Sequence, residues 1–491
     1  MPLVNDADKE VSMRHVIVVL ILGWCLFGAP VLAADYGSID EAEYQQLLRT
    51  IESEPDYLAH HRDIPRRLTT EQWDRLVGDL GLNPYTWVHP VVVKGNKASA
   101  VLGTPIEDLG LMAVRAGKLV PIPFQIDEKD EDGWVYVEGV SDAGVAGRAG
   151  TLDAEDEIVF MLRDAGTETL PADQQPPSGK LVQEIRVATE RGDRYAYVVT
   201  GGPVRSPARY VRYDENRRQF ESTFYNFVQS QDNLLIFDTF RANAGPTPDH
   251  RVLDALILDL STGVVTRWPR LSVGVENLEA RLLGVKHGPI RDVLLMQIRV
   301  VVANIPVFFI RTDMMLYDQG ISLPVRLNIP GGEILTRVLN RPVIDLGLDM
   351  HDLQGGRFAA AVNPTGQMGK VDGKISSVEQ KMNIDIPEAA WMWLESGRGW
   401  DVMLKVDIPP DWPVQADLLY VDAADPEVTF DVEDFPGALP RFGARVNELP
   451  KGKLNIDLSA ILWFPATVGA LGPDGFARAS EQTPTVQVRE L

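Results

Sequence analysis

The sequence has 491 residues, of which 45% are hydrophobic, and a formal net charge of -23 at pH 7. Such a chain can bury a sizeable core, and its acidic balance excludes nucleic acid and anionic membrane surfaces as natural partners, since like charges repel. The single cysteine, Cys25, lies in an N-terminal apolar run, which excludes disulfides and thiolate metal sites from the rest of the chain.

The first 33 residues have the layout of a cleavable secretory signal peptide. A short basic stretch (13–15) precedes the apolar run 16–27, and Val31 and Ala33 occupy the two positions where a signal peptidase requires small residues. The apolar run is shorter than the about 20 residues that cross a bilayer. We therefore predict export to the periplasm or the outside of a bacterial cell, and a processed protein that is not integral to the membrane.

Residues 34–85 are predicted to form a small helical hairpin. The segments 38–41 and 69–72 match the capping box, in which two side chains satisfy free amides of the first helical turn. Apolar residues at helical spacing follow each box, and Gly81 is well placed to end the second helix. Two short amphipathic helices cannot bury their own apolar faces, so we expect the hairpin to pack on the rest of the protein.

From Trp87 onward the hydrophobic period changes. Strand-length apolar runs such as RYAYVVT and LLIFDTF are separated by Gly, Pro and Asp turns, with no long helical segments between them. We therefore predict a mainly β fold, with two or three packed antiparallel β-sandwich domains beside the helical hairpin. The predicted organisation is a signal peptide (1–33), the hairpin (34–85) and three β domains (86–205, 206–330 and 331–491).

Two patterns in the last segment make local predictions. The run PEAAWMWL (387–394) predicts a short helix, because proline is favoured at the first helical position. The run DVMLKVDI (401–408) alternates with period two and predicts a strand.

The stretch from Pro121 to Gly166 is the strongest candidate for a site. Two apolar, strand-like runs flank a connection crowded with carboxylates and glycines. Alternating acidic residues before Gly133 match the core of a calcium loop, while Gly139 at the twelfth position excludes a helix–loop–helix hand. A solvated acidic turn is the alternative. The predicted metal ligands are Asp127, Glu128, Asp130, Asp132, Asp153 and Asp156.

The standard nucleophile and cofactor signatures, such as GxSxG, HExxH and GxGxxG after a strand, do not occur in the sequence, so no organic cofactor is expected. A His, Tyr and Arg group can remove a proton beside a uronic carboxylate, whereas a pair of carboxylates such as Asp313 and Asp318 suits a glycosidase. Paired edge residues of a sheet are the alternative interpretation. The catalytic candidates are His287, Arg291, Arg311, Asp313 and Tyr317.

Three short pieces of the sequence carry a family resemblance. PIPFQIDE, DEIVFMLRDAG and GPIRDVLL together resemble a pattern in uncharacterised secreted β-rich bacterial proteins, some of which are associated with polysaccharide breakdown. The resemblance implies an exported β-sandwich and a glycan ligand. It supplies no catalytic residues.

The functional prediction is a non-catalytic exported binding or structural protein that binds a glycan and is stabilised by calcium. Its expected partners are a polysaccharide or another envelope protein. The alternative is a polysaccharide-active enzyme, either a lyase or a glycoside hydrolase. Ten tryptophans offer sugar-stacking surfaces or buried core, among them Trp391, Trp393, Trp400 and Trp412.

Overall fold

The computed structural model describes residues 38–54, 56–244, 251–264, 270–274, 278–302, 305–329, 339–361, 367–382, 390–407, 415–422, 438–447, 454–482 and 484–491. The predicted signal peptide lies outside these residues. Across the described part of the chain, no helix has the length and apolar character needed to cross a membrane.

The described residues form α-helices mainly at the N-terminal end. Trp73 packs edge-on against Trp87 and Phe224, at ring distances of 5.5 and 5.3 Å, so the helical segment contacts the β-rich part as expected. The predicted hairpin is supported in part, because two helical turns connect its helices and a fifth helix follows them. The helices are α1 (Glu41–Ser53), α2 (Tyr57–His60), α3 (Ile64–Arg67), α4 (Thr70–Asp79), α5 (Pro84–Val88) and α6 (Gly472–Glu481).

The two predicted helix starts differ in outcome. Thr69 caps α4 as expected: its hydroxyl accepts from the amide of Gln72, whose side chain accepts from the amide of Thr69. At α1 the predicted cap is wrong by two residues. Asp40, rather than Ser38, accepts from the first-turn amide of Glu43, at 2.8 Å. A carboxylate next to the helix also complements the helix dipole.

The strands account for most of the regular structure. The first eleven are β1 (Pro90–Lys94), β2 (Leu109–Arg115), β3 (Lys118–Pro121), β4 (Gln125–Asp127), β5 (Glu157–Met161), β6 (Lys180–Thr189), β7 (Gly192–Thr200), β8 (Val211–Asp214), β9 (Gln219–Ser222), β10 (Tyr225–Gln229) and β11 (Phe237–Ala242). The others are β12 (Leu253–Val264), β13 (Arg270–Val273), β14 (Leu278–Lys286), β15 (Arg291–Val302), β16 (Ile305–Tyr317), β17 (Gly320–Ile329), β18 (Leu339–His351), β19 (Arg357–Ala360), β20 (Gly369–Lys370), β21 (Ala390–Glu395), β22 (Asp401–Asp407), β23 (Gln415–Val421), β24 (Ala438–Asn447), β25 (Leu454–Trp463) and β26 (Thr485–Glu490).

Two sheets enclose the smaller apolar core. One has the order β1-β5-β4 and the other β26-β6-β7-β2-β3, with antiparallel pairing throughout. Alternate residues of these strands point inward, as the pleat requires. The buried cluster between the sheets includes Val91, Leu111, Phe160 and Val187.

A second, larger pair of sheets has the orders β14-β15-β16-β17-β25-β22-β21-β19-β20 and β13-β12-β18-β24-β23. Phe358 of the nine-stranded sheet stacks on Tyr420 of the five-stranded one, with ring centroids 4.0 Å apart. A four-stranded sheet (β11-β10-β9-β8) adds an aromatic cluster to the same core. The mainly β, antiparallel sandwich class predicted from the sequence is therefore confirmed.

Strands from distant parts of the chain share these sheets. β12 pairs with β18, and β17 pairs with β25, so segments 206–330 and 331–491 contribute to the same two sheets. β26 pairs with β6 of the first sandwich. The domain boundaries predicted from the sequence stay a prediction. Two sheets each contain strands from both sides of the predicted boundary at residue 330.

One local prediction was right and one was wrong. The period-two run at 401–408 forms β22 (Asp401–Asp407). The helix was predicted over 387–394, of which 387–389 lie outside the described residues. Residues 390–394 belong to β21, because Trp391 and Trp393 pair with Lys405 and Met403 of β22. Pairing within a nine-stranded sheet outweighs the weak helical signal of a single proline.

Candidate functional site

The acidic stretch connects β4 to β5. Asp127 ends β4 and lies opposite Glu157 of β5. Gly133 has a φ of 81°, a conformation that suits glycine, so the sharp turn predicted at this residue is present. Asp130 accepts hydrogen bonds from the amides of Asp132 and Trp134 at 3.1 and 2.8 Å, which closes the turn on a side chain.

Backbone amides and distant cations already contact most of the predicted metal ligands. Asp130 forms an ion pair with Arg311 of β16 at 3.1 Å. Glu128 accepts from the amide of Gly150 at 2.7 Å and lies 4.0 Å from Lys286.

Two further predicted ligands, Asp156 and Asp153, contact the same loop. Asp156 accepts from the amides of Lys129 and Asp153, at 3.0 and 2.7 Å. Asp153 in turn accepts from the amide of Arg148 at 2.6 Å. Burial raises the pKa of Asp156 above its ordinary value. Among the described residues, no three His, Cys, Asp or Glu side chains are grouped so that they could hold a metal ion. Calcium binding by this loop therefore stays a prediction.

Arg291 is the centre of a buried ionic cluster. It is 2% exposed, and its guanidinium lies 2.7 Å from Asp127 and 2.6 Å from Glu157. Lys129 completes the cluster, 3.0 Å from Glu157. Gln125 donates to Asp127 at 2.9 Å, and its carbonyl oxygen accepts from the amide of Arg291 at the same distance. Two carboxylates of the three-stranded sheet are thus balanced by Arg291 of the nine-stranded sheet and by Lys129 of the acidic loop.

Of the catalytic candidates, the structure brings only Arg291 and Tyr317 into direct contact. Arg291 donates to the Tyr317 hydroxyl at 2.6 Å, since the two residues are register partners on β15 and β16. His287 instead contacts Asp292 at 3.3 Å and Glu215 at 3.4 Å. The hydrogen bond to Asp292 raises the pKa of His287.

The two carboxylates considered for a glycosidase have different surroundings. Asp313 accepts from the amide of Val135 at 3.1 Å, and burial raises its pKa to about 6. Asp318 pairs with Arg163 at 2.5 Å. Both are 1% exposed, so neither is open to a polysaccharide at the surface.

A cleft of about 360 Å³ lies on the nine-stranded sheet. Its floor comes from four adjacent strands, β16, β17, β25 and β22, where register places Ser322, Ile461 and Lys405 side by side. Its wall comes from α5 with the residues that follow it, and from the end of α6. The volume falls within the about 300–1,000 Å³ of ordinary ligand pockets.

The α5 side of the cleft presents neutral polar groups. The Tyr85 hydroxyl and His89 Nδ1 share a hydrogen bond of 2.8 Å. Burial lowers the pKa of His89 to about 4 and raises the pKa of Tyr85. Burial also raises the pKa of Tyr317, the other phenol in the lining, although Arg291 opposes this effect. At neutral pH, His89 and both phenols are therefore uncharged hydrogen-bonding groups.

The sheet side adds one ion pair and one aromatic surface. Lys405 and Asp407 lie on the same face of β22, as alternation requires, with 3.1 Å between Nζ and Oδ1. The side chain of Lys405 is 11% exposed and that of Asp407 is 46% exposed. Trp463 lines the cleft beside them, and exposed Glu481 lies at the end of α6.

Sequence reasoning missed most of this cleft. Tyr317 was a candidate, but His89, Lys405 and Asp407 were part of ordinary strand-like runs with no motif of their own. A histidine and a lysine inside otherwise apolar runs were the only available signal. The tryptophans singled out as sugar-stacking candidates are mostly core: Trp391, Trp393 and Trp400 are buried, and Trp412 lies outside the described residues.

Comparisons with known proteins identify no family for this chain. Neither a family model nor a curated protein matches it. A glycosyl hydrolase family 38 protein from Enterococcus faecalis is similar at a TM-score of 0.43 and 8% identity, covering 83% of this chain and 46% of that one. An α-mannosidase from Enterococcus faecalis V583 is similar at a TM-score of 0.44 and 8% identity, covering 83% of this chain and 45% of that one. Heparan sulfate lyase HepC from Pedobacter heparinus is similar at a TM-score of 0.29 and 10% identity, covering 55% of this chain and 38% of that one. The chain spans less than half of each structure, and no conclusion about fold or ligand follows at these TM-scores.

Proposed function

We propose that this protein is an exported binding protein that holds a neutral saccharide in the cleft between α5, α6 and the nine-stranded sheet. The observation that carries the proposal is the lining itself. The Trp463 side chain, which is 7% exposed, lines the cleft beside uncharged Tyr and His groups and a single ion pair. A sugar offers the matching chemistry, with apolar C–H faces for an aromatic wall and hydroxyls for short hydrogen bonds.

Charge favours a neutral ligand over an acidic one. Asp407 balances Lys405, the only lysine among the described residues that line the cleft, and Glu481 adds a further carboxylate at the rim. The whole chain has a formal charge of -23. A polyanionic glycan would therefore meet repulsion both at a distance and inside the cleft.

The protonation states of His89 and Tyr317 favour binding over catalysis by these two groups. General acid–base catalysis works best when the pKa of the catalytic group lies near the operating pH. The pKa of His89 is about 4, and burial moves the pKa of Tyr317 upward, away from neutrality. Both groups keep fixed protonation states near pH 7, which suits recognition rather than proton transfer.

The test is a screen of the purified protein against neutral polysaccharides (xylan, glucomannan, starch) and acidic ones (pectate, alginate, heparan sulfate). Each reaction is read for bound protein and for new reducing ends. We expect retention on at least one neutral glycan, weak or no retention on the acidic ones, and no new ends. New reducing ends that require the cleft residues would replace this proposal with the alternative, a polysaccharide-active enzyme.

Variants connect the binding to the cleft. His89→Gln and Lys405→Met are expected to weaken retention, whereas the matched control His60→Gln alters an exposed histidine of α2 and leaves it unchanged. Equal binding by all three variants would place the ligand elsewhere. Export is tested separately: the N-terminal sequence of the processed chain is expected to begin at or near Ala34, and a retained Met13 segment would refute it.

A further inference from the structure

A second, smaller cavity adjoins the cleft. It measures about 190 Å³ and is lined by the start of α5, the turn between β6 and β7, and the segment that leads from α6 into β26. Tyr85 lines both cavities. The end of α6 is shared in the same way, since Glu481 lines the cleft and Gln482 lines the second cavity.

The shared wall is rigidly held. Tyr85 is 3% exposed, and its hydroxyl is engaged by His89. Its ring packs edge-on against Phe476 of α6, with centroids 5.6 Å apart, and against Trp463 of β25 at 6.1 Å. A ligand that occupies both cavities must therefore pass over this ring rather than displace it.

The second lining is also suited to a hydroxyl-rich ligand. Its polar members besides Tyr85 are amides and hydroxyls together with one exposed carboxylate, Glu190, and in the described chain it contains no Lys, Arg or His. Amides and hydroxyls both donate and accept, as sugar hydroxyls require. The volume lies below the about 300 Å³ at which ordinary ligand pockets begin. The cavity is thus better suited to one part of a longer ligand than to a ligand of its own.

We propose that the second cavity is a further subsite, and that the ligand is a neutral oligosaccharide of two or more units that crosses Tyr85. This inference rests on the proposed saccharide binding and names the size of the ligand. A single sugar unit would fill only the larger cleft, and each added unit would gain contacts with residues such as Thr189, Gln482 and Thr485.

The experiment compares affinity for ligands of increasing length. Isothermal titration calorimetry is run with one- to four-unit ladders of β-1,4-glucose, α-1,4-glucose and β-1,4-xylose. Gln482→Trp fills the second cavity with an indole. Arg478→Trp places the same side chain at an exposed position of α6 that lines neither cavity. Circular dichroism melting of both variants checks that α6 is retained.

For the wild type we expect an affinity gain of about tenfold or more between one unit and three, equivalent to roughly 1.4 kcal/mol. Gln482→Trp is expected to abolish the gain, whereas Arg478→Trp is expected to preserve both the gain and the single-unit affinity. Equal affinity for all lengths, or a gain that survives Gln482→Trp, overturns the second subsite but leaves the cleft as a binding site. If no ladder and no neutral polysaccharide binds, the proposed function and this inference both fail.

Discussion

Replacing Arg291 by methionine should destabilise the protein strongly. The substitution keeps much of the apolar volume but removes the guanidinium that lies 2.7 Å from Asp127 and 2.6 Å from Glu157. Removing one partner of a buried ion pair costs about 3–5 kcal/mol, because the remaining charge stays uncompensated. Lys129 still balances Glu157, and Gln125 still donates to Asp127, so we expect a loss toward the lower end, about 3 kcal/mol.

The assay is urea unfolding followed by tryptophan fluorescence, with Arg281→Met as the matched control. Arg281 pairs with Glu279 at 2.9 Å, but its side chain is 62% exposed, and such a pair contributes about 0–1 kcal/mol. The double variant Arg291→Met/Asp127→Asn should regain part of the loss, since it removes the uncompensated carboxylate. If Arg291→Met loses no more stability than Arg281→Met, the cluster is not the balanced buried network described above.

Three further predictions concern pH and calcium. His89 has a pKa lowered by burial to about 4, so its contribution to stability is fully present above its ordinary pKa of about 6.5 and should be lost as pH falls from about 6.5 toward 4. Saccharide binding depends on the neutral side chain in the folded protein, so it should weaken only as pH falls through about 4 in a calorimetric titration. Burial raises the pKa of Asp401 to about 8, so the unfolded chain releases this proton at a lower pH than the folded protein does, and stability should fall as pH rises from about 4 to 8. Asp401→Asn should therefore raise the melting temperature at pH 8 but not at pH 4. If the acidic loop binds calcium, the melting temperature of the wild type should be higher with calcium than with chelator. This difference should be smaller in the double variant Asp130→Asn/Asp132→Asn.

Each of these has a distinct contrary result. Binding that is unchanged well below pH 4 while the wild type stays folded, or that falls equally in His89→Gln, would remove His89 from the cleft's recognition chemistry. In the wild type the amide of Val468 donates to the Asp401 carboxylate at 3.1 Å, and asparagine at this position keeps an oxygen that can accept the same hydrogen bond. A loss of stability in Asp401→Asn at pH 8 would therefore mean that the fold favours the ionised form of Asp401. Identical melting of the wild type in calcium and in chelator would leave the loop a solvated acidic turn.

Local features of the fold were predictable from the sequence because they depend on neighbouring residues. The cap at Thr69 and the sharp turn at Gly133 are each specified within a few positions, and both are present. Alternation in 401–408 predicted β22 for the same reason. The start of α1 was misplaced because Asp40, two residues after Ser38, is also a good cap, and short-range patterns do not rank two nearby candidates.

Partnerships over long sequence distances were not predictable. Within residues 127–132 the sequence places one cation, Lys129, among five carboxylates. The structure places Arg291, Arg311 and Lys286 against this loop, from strands more than 130 residues away, so three of its carboxylates have a distant cation beside them. The cleft was missed for the same reason. Its lining combines α5, β22 and α6, which are far apart in the sequence and lie together only in the folded chain.

The pairing of β26 with β6 has a consequence for the order in which the chain can fold. Glu184 and Arg489 form an ion pair across these strands although 305 residues separate them. Until β26 is in place, the outer edge of β6 has no strand to pair with, and unpaired edges recruit other chains. Charged side chains on an edge strand disfavour such pairing, and β6 carries Glu184 and Arg186.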